Sequence, residues 1–277
     1  MQTVIERAGE HARGYFLRDM TENEQKNDGS VVTAVDTAIE RELVSYVRKH
    51  FSDDTIVGEE DKGYVGTSQF VWYIDPIDGT DNFLRKIPFC AISVARLGDT
   101  TEDSLAIVHN PITGITFSGL AGDGVQEAQQ EAQQEAQRVH QINEELLGGR
   151  AIVSVCRGRE VWMKSATYNL QKAFGKQFGK GTAYGCCALE LTYVAANRID
   201  GVLTFGLNPY DYAAGLFLIQ SSGGSISVFR DGSWLEWTAS LKELCQESSE
   251  TIFASHAGIH TEALSLIGDP YQWRDRD

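Results

Sequence analysis

The apolar residues 70–74 run directly into Asp75-Pro76-Ile77-Asp78-Gly79-Thr80-Asp81-Asn82-Phe83. An apolar run of this length reads as a buried strand. Asp75, Asp78 and Asp81 then place three carboxylates within seven residues of its end. Such a cluster is unfavourable unless something positive sits among the acids. Pro76 stiffens the turn, and Gly79 lets the backbone approach a ligand closely. The economical solution is a divalent cation held by oxygen ligands, with a phosphate beside it.

The rest of the chain is organised around that segment. Helical spacing of apolar residues predicts a helix over residues 3–18. A polar stretch follows, and then a second helix with Thr33 as N-cap and Asp36 three residues on. Residues 55–57 form a second short strand that meets acids, at Gly58-Glu59-Glu60. Strand patterns over residues 90–97, 104–108 and 115–117 with short turns predict an antiparallel meander. From about residue 150, strands and helices alternate, as in α/β layering. Two packed halves are expected, residues 1–145 and 146–277. A tetrapeptide repeat, Glu-Ala-Gln-Gln and variants over about residues 126–138, has no hydrophobic face and reads as a surface-loop expansion.

Charge and cysteine content narrow the function. The net charge of −15 argues against a nucleic-acid backbone or an anionic membrane as the main partner. Five cysteines without a Cys-x-x-Cys pair fit neither a disulfide framework nor a zinc site, which suggests a reducing cytoplasm. No run approaches a membrane span, and the N-terminus, with Glu6, Arg7 and Glu10, does not read as a signal peptide.

Four acids fall at ends of predicted strands or starts of predicted helices: Glu59, Asp75, Asp78 and Asp211. An oxygen-only set suits Mg²⁺ or Mn²⁺ rather than zinc. The N–H groups of Gly79 and Thr80 are placed to hold a phosphate.

Residues 75–83 resemble the signature of the inositol monophosphatase family of Mg²⁺-dependent, lithium-sensitive phosphatases. Asp28-Gly29-Ser30 through Asp36 resembles its N-terminal segment, and Gly58-Glu59-Glu60 its metal-ligand glutamate motif. Tyr210-Asp211-Tyr212-Ala213-Ala214-Gly215 resembles its C-terminal Trp-Asp-x-Ala-Ala-Gly motif. The resemblance covers about residues 28–224 in family order. It implies a five-layer αβαβα sandwich of the sugar-phosphatase type and a homodimer. It also implies that Glu59, Asp75, the Ile77 carbonyl, Asp78 and Asp211 hold two to three Mg²⁺ ions. Asp36 and Thr80 would act with Glu59 on the attacking water, which a metal activates; Gly79 and Thr80 would hold the phosphate. Cys187, Thr204 and Asp211 would face the substrate, and the segment around residues 26–32 would close over the site.

The implied reaction is hydrolysis of a small phosphorylated metabolite, with myo-inositol 1-phosphate as the first substrate. Histidinol phosphate, fructose 1,6-bisphosphate and 3′-phosphoadenosine 5′-phosphate are the alternatives. Thr204 stands where inositol-specific members carry a glutamate, and a hydroxyl cannot supply a charge-assisted acceptor pair. A scaffold that keeps the fold without activity would be expected to have lost a ligand or the Asp36–Thr80 pair; none is missing. Residues 175–182 mimic a P-loop but have a short spacer and Gly181 in place of the hydroxyl residue. His256 and His260 have zinc-ligand spacing, but Gly258 between them favours solvated or capping roles. Cys186 and Cys187 read as small packing residues.

Overall fold

The structure is a computed structural model that describes residues 1–18, 23–25, 31–60, 63–121, 123–129, 138–140, 150–246 and 250–274. Its layers are helix, sheet, helix, sheet, helix. α1 (Gln2–Phe16) and α2 (Ala34–His50) form the first layer. Between them in chain order lies a short antiparallel pair, β1 (Asn23–Gln25) with β2 (Val31–Thr33). Thr33 therefore ends a strand, and its side chain lies outside the described residues, as do residues 26–30 of the expected closing segment 26–32, whose last two residues belong to β2.

The second layer is a seven-stranded sheet in sequence order: β3 (Thr55–Gly58), β4 (Val71–Asp78), β5 (Ala91–Leu97), β6 (Leu105–Asn110), β7 (Ile115–Leu120), β8 (Val125–Gln129) and β9 (Arg138–His140). Only β3 and β4 run parallel; the remaining neighbours form the expected meander. Between β4 and β5 comes α3 (Thr80–Leu84). The second sheet contains β10 (Ala151–Arg157), β11 (Gly179–Thr182), β12 (Gly201–Phe205), β13 (Ser225–Arg230), β14 (Ser233–Glu236) and β15 (Ile252–Ser255), in the order β11-β10-β12-β15-β13-β14. β11, β10 and β12 are parallel, so their carboxyl ends share one edge of the sheet. α4 (Val161–Gln177), α5 (Cys187–Ala195), α6 (Pro209–Ser221), α7 (Leu241–Cys245) and α8 (Ala257–Ile267) complete the chain.

Period-two alternation assigns each sheet face. Trp72, Ile74, Ile92 and Val94 point toward α1 and α2, where Ile5, Ile39 and Leu43 bury. Tyr73, Ala95, Val108 and Phe117 point the other way, onto α5 and α6. Those two helices are also covered by Val202, Ile226, Val228 and Ile252 of the second sheet. α6 is apolar almost all round, as a helix sandwiched between sheets must be. A Cβ on Gly215 would lie 2.4 Å from the Leu191 Cβ, so glycine there is what lets α6 pack so closely on α5. Val153, Val155, Leu203, Phe205 and Phe253 face α4 and α8 on the outer side.

Several expectations need correction. The strand predicted to stop at Asp75 runs on to Asp78. The first part of the repeat, Val125–Gln129, is a strand paired with β7, and Glu127 is buried beneath Arg198 and His140. Pairing to β7, the Arg198 guanidinium and the His140 ring supply the environment that the repeat's own composition lacks; residues 130–137 lie outside the described residues. His256 and His260 are buried rather than solvated: His260 bridges the Ser227 and Ser255 hydroxyls, and His256 occupies the N-cap position of α8. Part of the P-loop mimic is the edge strand β11.

Candidate functional site

The site forms where β3 and β4 end against the N-termini of α5 and α6. In a regular strand, residues three apart face opposite sides. β4 pairs Asp75 with Ser93 and Asp78 with Ala91, so it carries one extra residue in a bulge that contains Pro76 and Ile77. Proline is tolerated at a bulge because no ladder N–H is needed there. The extra residue also turns Asp78 to the side of Asp75. The carboxylates of Asp75, Asp78 and Asp211 offer oxygens that all lie within 4.8 Å of one another.

Each acid is held by local structure. Asp211 is the third residue of α6 and completes a capping box: its Oδ2 accepts from the Asn208 N–H at 2.7 Å, while Asn208 caps the helix in return. The cap role and the ligand position thus coincide in one residue. Asp78 Oδ2 accepts from the Ala188 N–H at 2.5 Å and from the Cys186 thiol at 3.2 Å, which ties the first sheet to α5. Gly79 adopts φ +83°, and a Cβ there would meet the Cys186 Cβ at 3.0 Å and two backbone oxygens at 3.1 Å. Thr80 Oγ1 donates to the Ile77 carbonyl at 3.0 Å.

Burial dominates the electrostatics. Asp75, only 1% exposed, is held well above the usual carboxylate range by desolvation, then by the charges of Glu59, Asp78, Asp211 and Asp36. Asp211 is raised well above that range by desolvation and by Asp78, against the opposing pull of the Asn208 N–H and the Arg159 guanidinium. Desolvation raises Asp78 to about 7 despite its two donors. Asp75 therefore feels the other four expected acids, including Asp36 in the first turn of α2 and Glu59 just past β3. Asp75 Oδ1 is buried without a hydrogen-bond partner among the described residues. An oxygen-only cluster with an orphaned buried carboxylate oxygen fits a hard divalent cation.

The substrate-side residues are placed as follows. Cys187 is the first residue of α5 and 5% exposed, its thiol pushed up to about 12 chiefly by burial and hydrogen-bonded to Cys156. All five cysteines are buried and unpaired as disulfides. Thr204 is fully buried in β12, and its hydroxyl donates to the Ile252 carbonyl at 3.5 Å. It offers no surface to a ligand in this structure.

Two side chains that the sequence reading did not single out build the turn before α5. Glu190 is fully buried, takes a hydrogen bond from the Ser154 hydroxyl, and its Oε1 accepts from the N–H groups of Tyr184, Gly185 and Cys186. Asn82 Nδ2 donates to the carbonyls of Phe89 and Tyr184, each at 2.8 Å. The signal for Glu190 was present: it is the single charged residue in the otherwise apolar stretch 186–196. Asn82 carries no such signal, because an asparagine after a turn is ordinary.

An αβαβα sandwich with acids from both sheets' connections meeting at a buried oxygen cluster defines a metal-dependent phosphatase of the layered sugar-phosphatase class. The inositol monophosphatase family model matches residues 1–267, and the chain belongs to that family, whose shared activity is Mg²⁺-dependent phosphoric monoester hydrolysis. The chain is 34% identical over 226 residues to Nus factor SuhB of Escherichia coli (strain K12), with 80% of each chain covered. It is 30% identical over 230 residues to Nus factor SuhB of Vibrio cholerae, covering 82% of this chain and 83% of that one. Among solved structures it resembles the Thermotoga maritima IMPase at 25% identity with a TM-score of 0.79, covering 99% of this chain and 97% of that chain.

The relatives' shared name implies a transcription-associated role for those proteins, and it overturns the expectation of no nucleic-acid partner. The physical error lay in reading a whole-chain charge as if it were uniform, whereas association depends on local fields. Among the described residues, no helix is long and apolar enough to cross a membrane.

Proposed function

We propose that this chain hydrolyses a small phosphate monoester, with myo-inositol 1-phosphate as the first candidate. Histidinol phosphate, fructose 1,6-bisphosphate and 3′-phosphoadenosine 5′-phosphate are the alternatives. The observation that supports the reading best is the meeting of Asp75, Asp78 and Asp211 within 4.8 Å, from residues far apart in the chain. In this reading Glu59, Asp75, the Ile77 carbonyl, Asp78 and Asp211 hold two to three divalent ions, Mg²⁺ or Mn²⁺. Bound there, such an ion supplies Lewis-acid polarisation of the phosphate and of water.

The chain's own groups do the remaining work. Gly79 and Thr80 present backbone N–H groups to the phosphate, which the left-handed Gly79 allows. Thr80, paired with Asp36, orients the attacking water, and the proton that it loses passes to the carboxylate of Asp36 or Glu59. Cys187 borders the organic part of the substrate, while buried Thr204 shapes that wall from behind. With no carboxylate at position 204, selectivity for ring hydroxyls is expected to be weak. A homodimer, inhibition by lithium and a cytoplasmic location belong to the same reading.

The test is phosphate release from the four substrates, with Mg²⁺, with EDTA, and with Mg²⁺ plus lithium. Mg²⁺-dependent turnover with inositol 1-phosphate among the better substrates is expected. No Mg²⁺-dependent release from any of them would overturn the proposal.

A further inference from the structure

Positive charge in this acidic chain is segregated. Residues 150–189 contain Arg150, Arg157, Arg159, Lys164, Lys172, Lys176 and Lys180 against the single acid Glu160. That is a net +6 in a chain of net charge −15, leaving −21 for everything else. The centre of this region is α4. Its inner face buries Met163, Ala166, Leu170 and Phe174 against the second sheet. Its outer face exposes Lys164, Tyr168, Lys172 and Lys176, four positions at regular spacing of four residues. At 1.5 Å of rise per residue they form a slanting row with steps of about 6 Å. Tyr168 stands out from it, 66% exposed. Past the helix the row continues to exposed Lys180 on the edge strand β11, whose ammonium lies 5.5 Å over the Tyr184 ring.

Several cations elsewhere are tied to carboxylates: Arg96 to Asp54, Arg198 to Glu127, Arg230 to Glu250, and Lys242 to Asp99. Among the described residues, Lys164, Lys172 and Lys176 have no carboxylate partner. The two acids that flank α4 are engaged otherwise, Glu160 with the Trp162 indole and Glu262 with Gln177.

We propose that the outer face of α4, continued by Lys180, is a docking surface for single-stranded nucleic acid. A row of unpaired ammonium groups tracks a phosphodiester backbone, and an exposed aromatic ring within the row provides a stacking platform. The face suits a repeating polyanion with planar bases better than a folded acidic protein, since its cations form a row along the convex outer side of a helix. It suits a membrane less well, because the apolar side of α4 is buried in the core, and Tyr168 with Val161 at the first turn makes no continuous apolar face to insert. α4 lies on the opposite side of the second sheet from α5 and α6, so this surface is separate from the phosphatase site.

The test uses the full chain and a fluorescein-labelled mixed-sequence 20-mer, as RNA and as DNA, read by anisotropy across a series of KCl concentrations. Four lysines contacting phosphates give a slope of log K against log salt of about −3. K164Q/K172Q/K176Q is expected to flatten that slope to about −1 and to weaken binding at least tenfold. Tyr168→Ala is expected to weaken binding about 5- to 100-fold without changing the slope. Both variants should keep wild-type thermal unfolding and phosphate release, and Tyr168→Ala alone carries the test if the triple variant does not fold. Three results would overturn the proposal: no binding by the wild type at low salt, binding unaffected by both variants, or equal affinity for polyglutamate of matched charge or for anionic vesicles.

Discussion

Replacing Asp78 by Asn should make the metal-free protein more stable while abolishing its metal-dependent activity. The folded-state pKa of Asp78 is about 7, against an ordinary value of 3.8, because burial disfavours the charged form. A shift of that size corresponds to about 4 kcal/mol at pH 8. The side chain retains some solvent contact, which reduces the expected gain to about 2 kcal/mol. Asn keeps an oxygen that can accept from the Ala188 N–H, so the link to α5 survives. The folded state binds the extra proton between the two pKa values, so wild-type stability without metal is greatest in mild acid and falls as pH rises through about 7. In EDTA at pH 8 the variant should therefore melt roughly 4–8 °C above the wild type, a gap that shrinks toward pH 5. Added Mg²⁺ should reverse the order, since ligand binding stabilises the wild type more. Phosphate release by the variant should drop more than about 100-fold, beyond the usual loss for a residue that only supports a metal ligand. Differential scanning fluorimetry at four pH values, with EDTA or Mg²⁺, measures all of this. A variant less stable than the wild type in EDTA at pH 8 would refute the reasoning, as would a wild-type melting temperature that rises from pH 5 to 8.

Glu190→Ala strands three backbone N–H groups and the Ser154 hydroxyl, and should lose about 3–5 kcal/mol in urea unfolding. Glu190→Gln keeps an acceptor for those N–H groups and should lose about 1 kcal/mol; equal losses would show that the carboxylate does not hold the turn. Gly79→Ala combines a left-handed backbone with contacts of 3.0–3.1 Å and should lose about 2–4 kcal/mol. Gly223→Ala is the control, because its φ of +89° is similar but nothing lies within 4 Å of the added carbon. It should lose about 1 kcal/mol, and a loss equal to that of Gly79→Ala would show that strain alone accounts for both.

Much of the fold was legible because it is written in local periodicity. The meander, α1 and α2 follow patterns of two or 3.6 residues. Boundaries failed where tertiary pairing overrode composition. Gln126 to Gln129 joined a sheet because β7 offered an edge and Arg198 a counter-charge for Glu127. β11 formed from a glycine-rich stretch because β10 presented a parallel partner.

For the candidate site, the sequence by itself determined the chemistry: which acids are present, their order, and the glycine and threonine after them. Only the tertiary structure decided that the acids are one site. Asp75 and Asp78 share a side because pairing with β5 forces a bulge between them, and Asp211 joins them through a capping box on a helix more than a hundred residues away. The same holds for charge. Composition sums it over the chain, whereas the packing of α4 decides that its apolar face is buried and its lysines stand together at the surface. Contacts between distant segments and the faces that they leave exposed are products of packing, which no local pattern encodes.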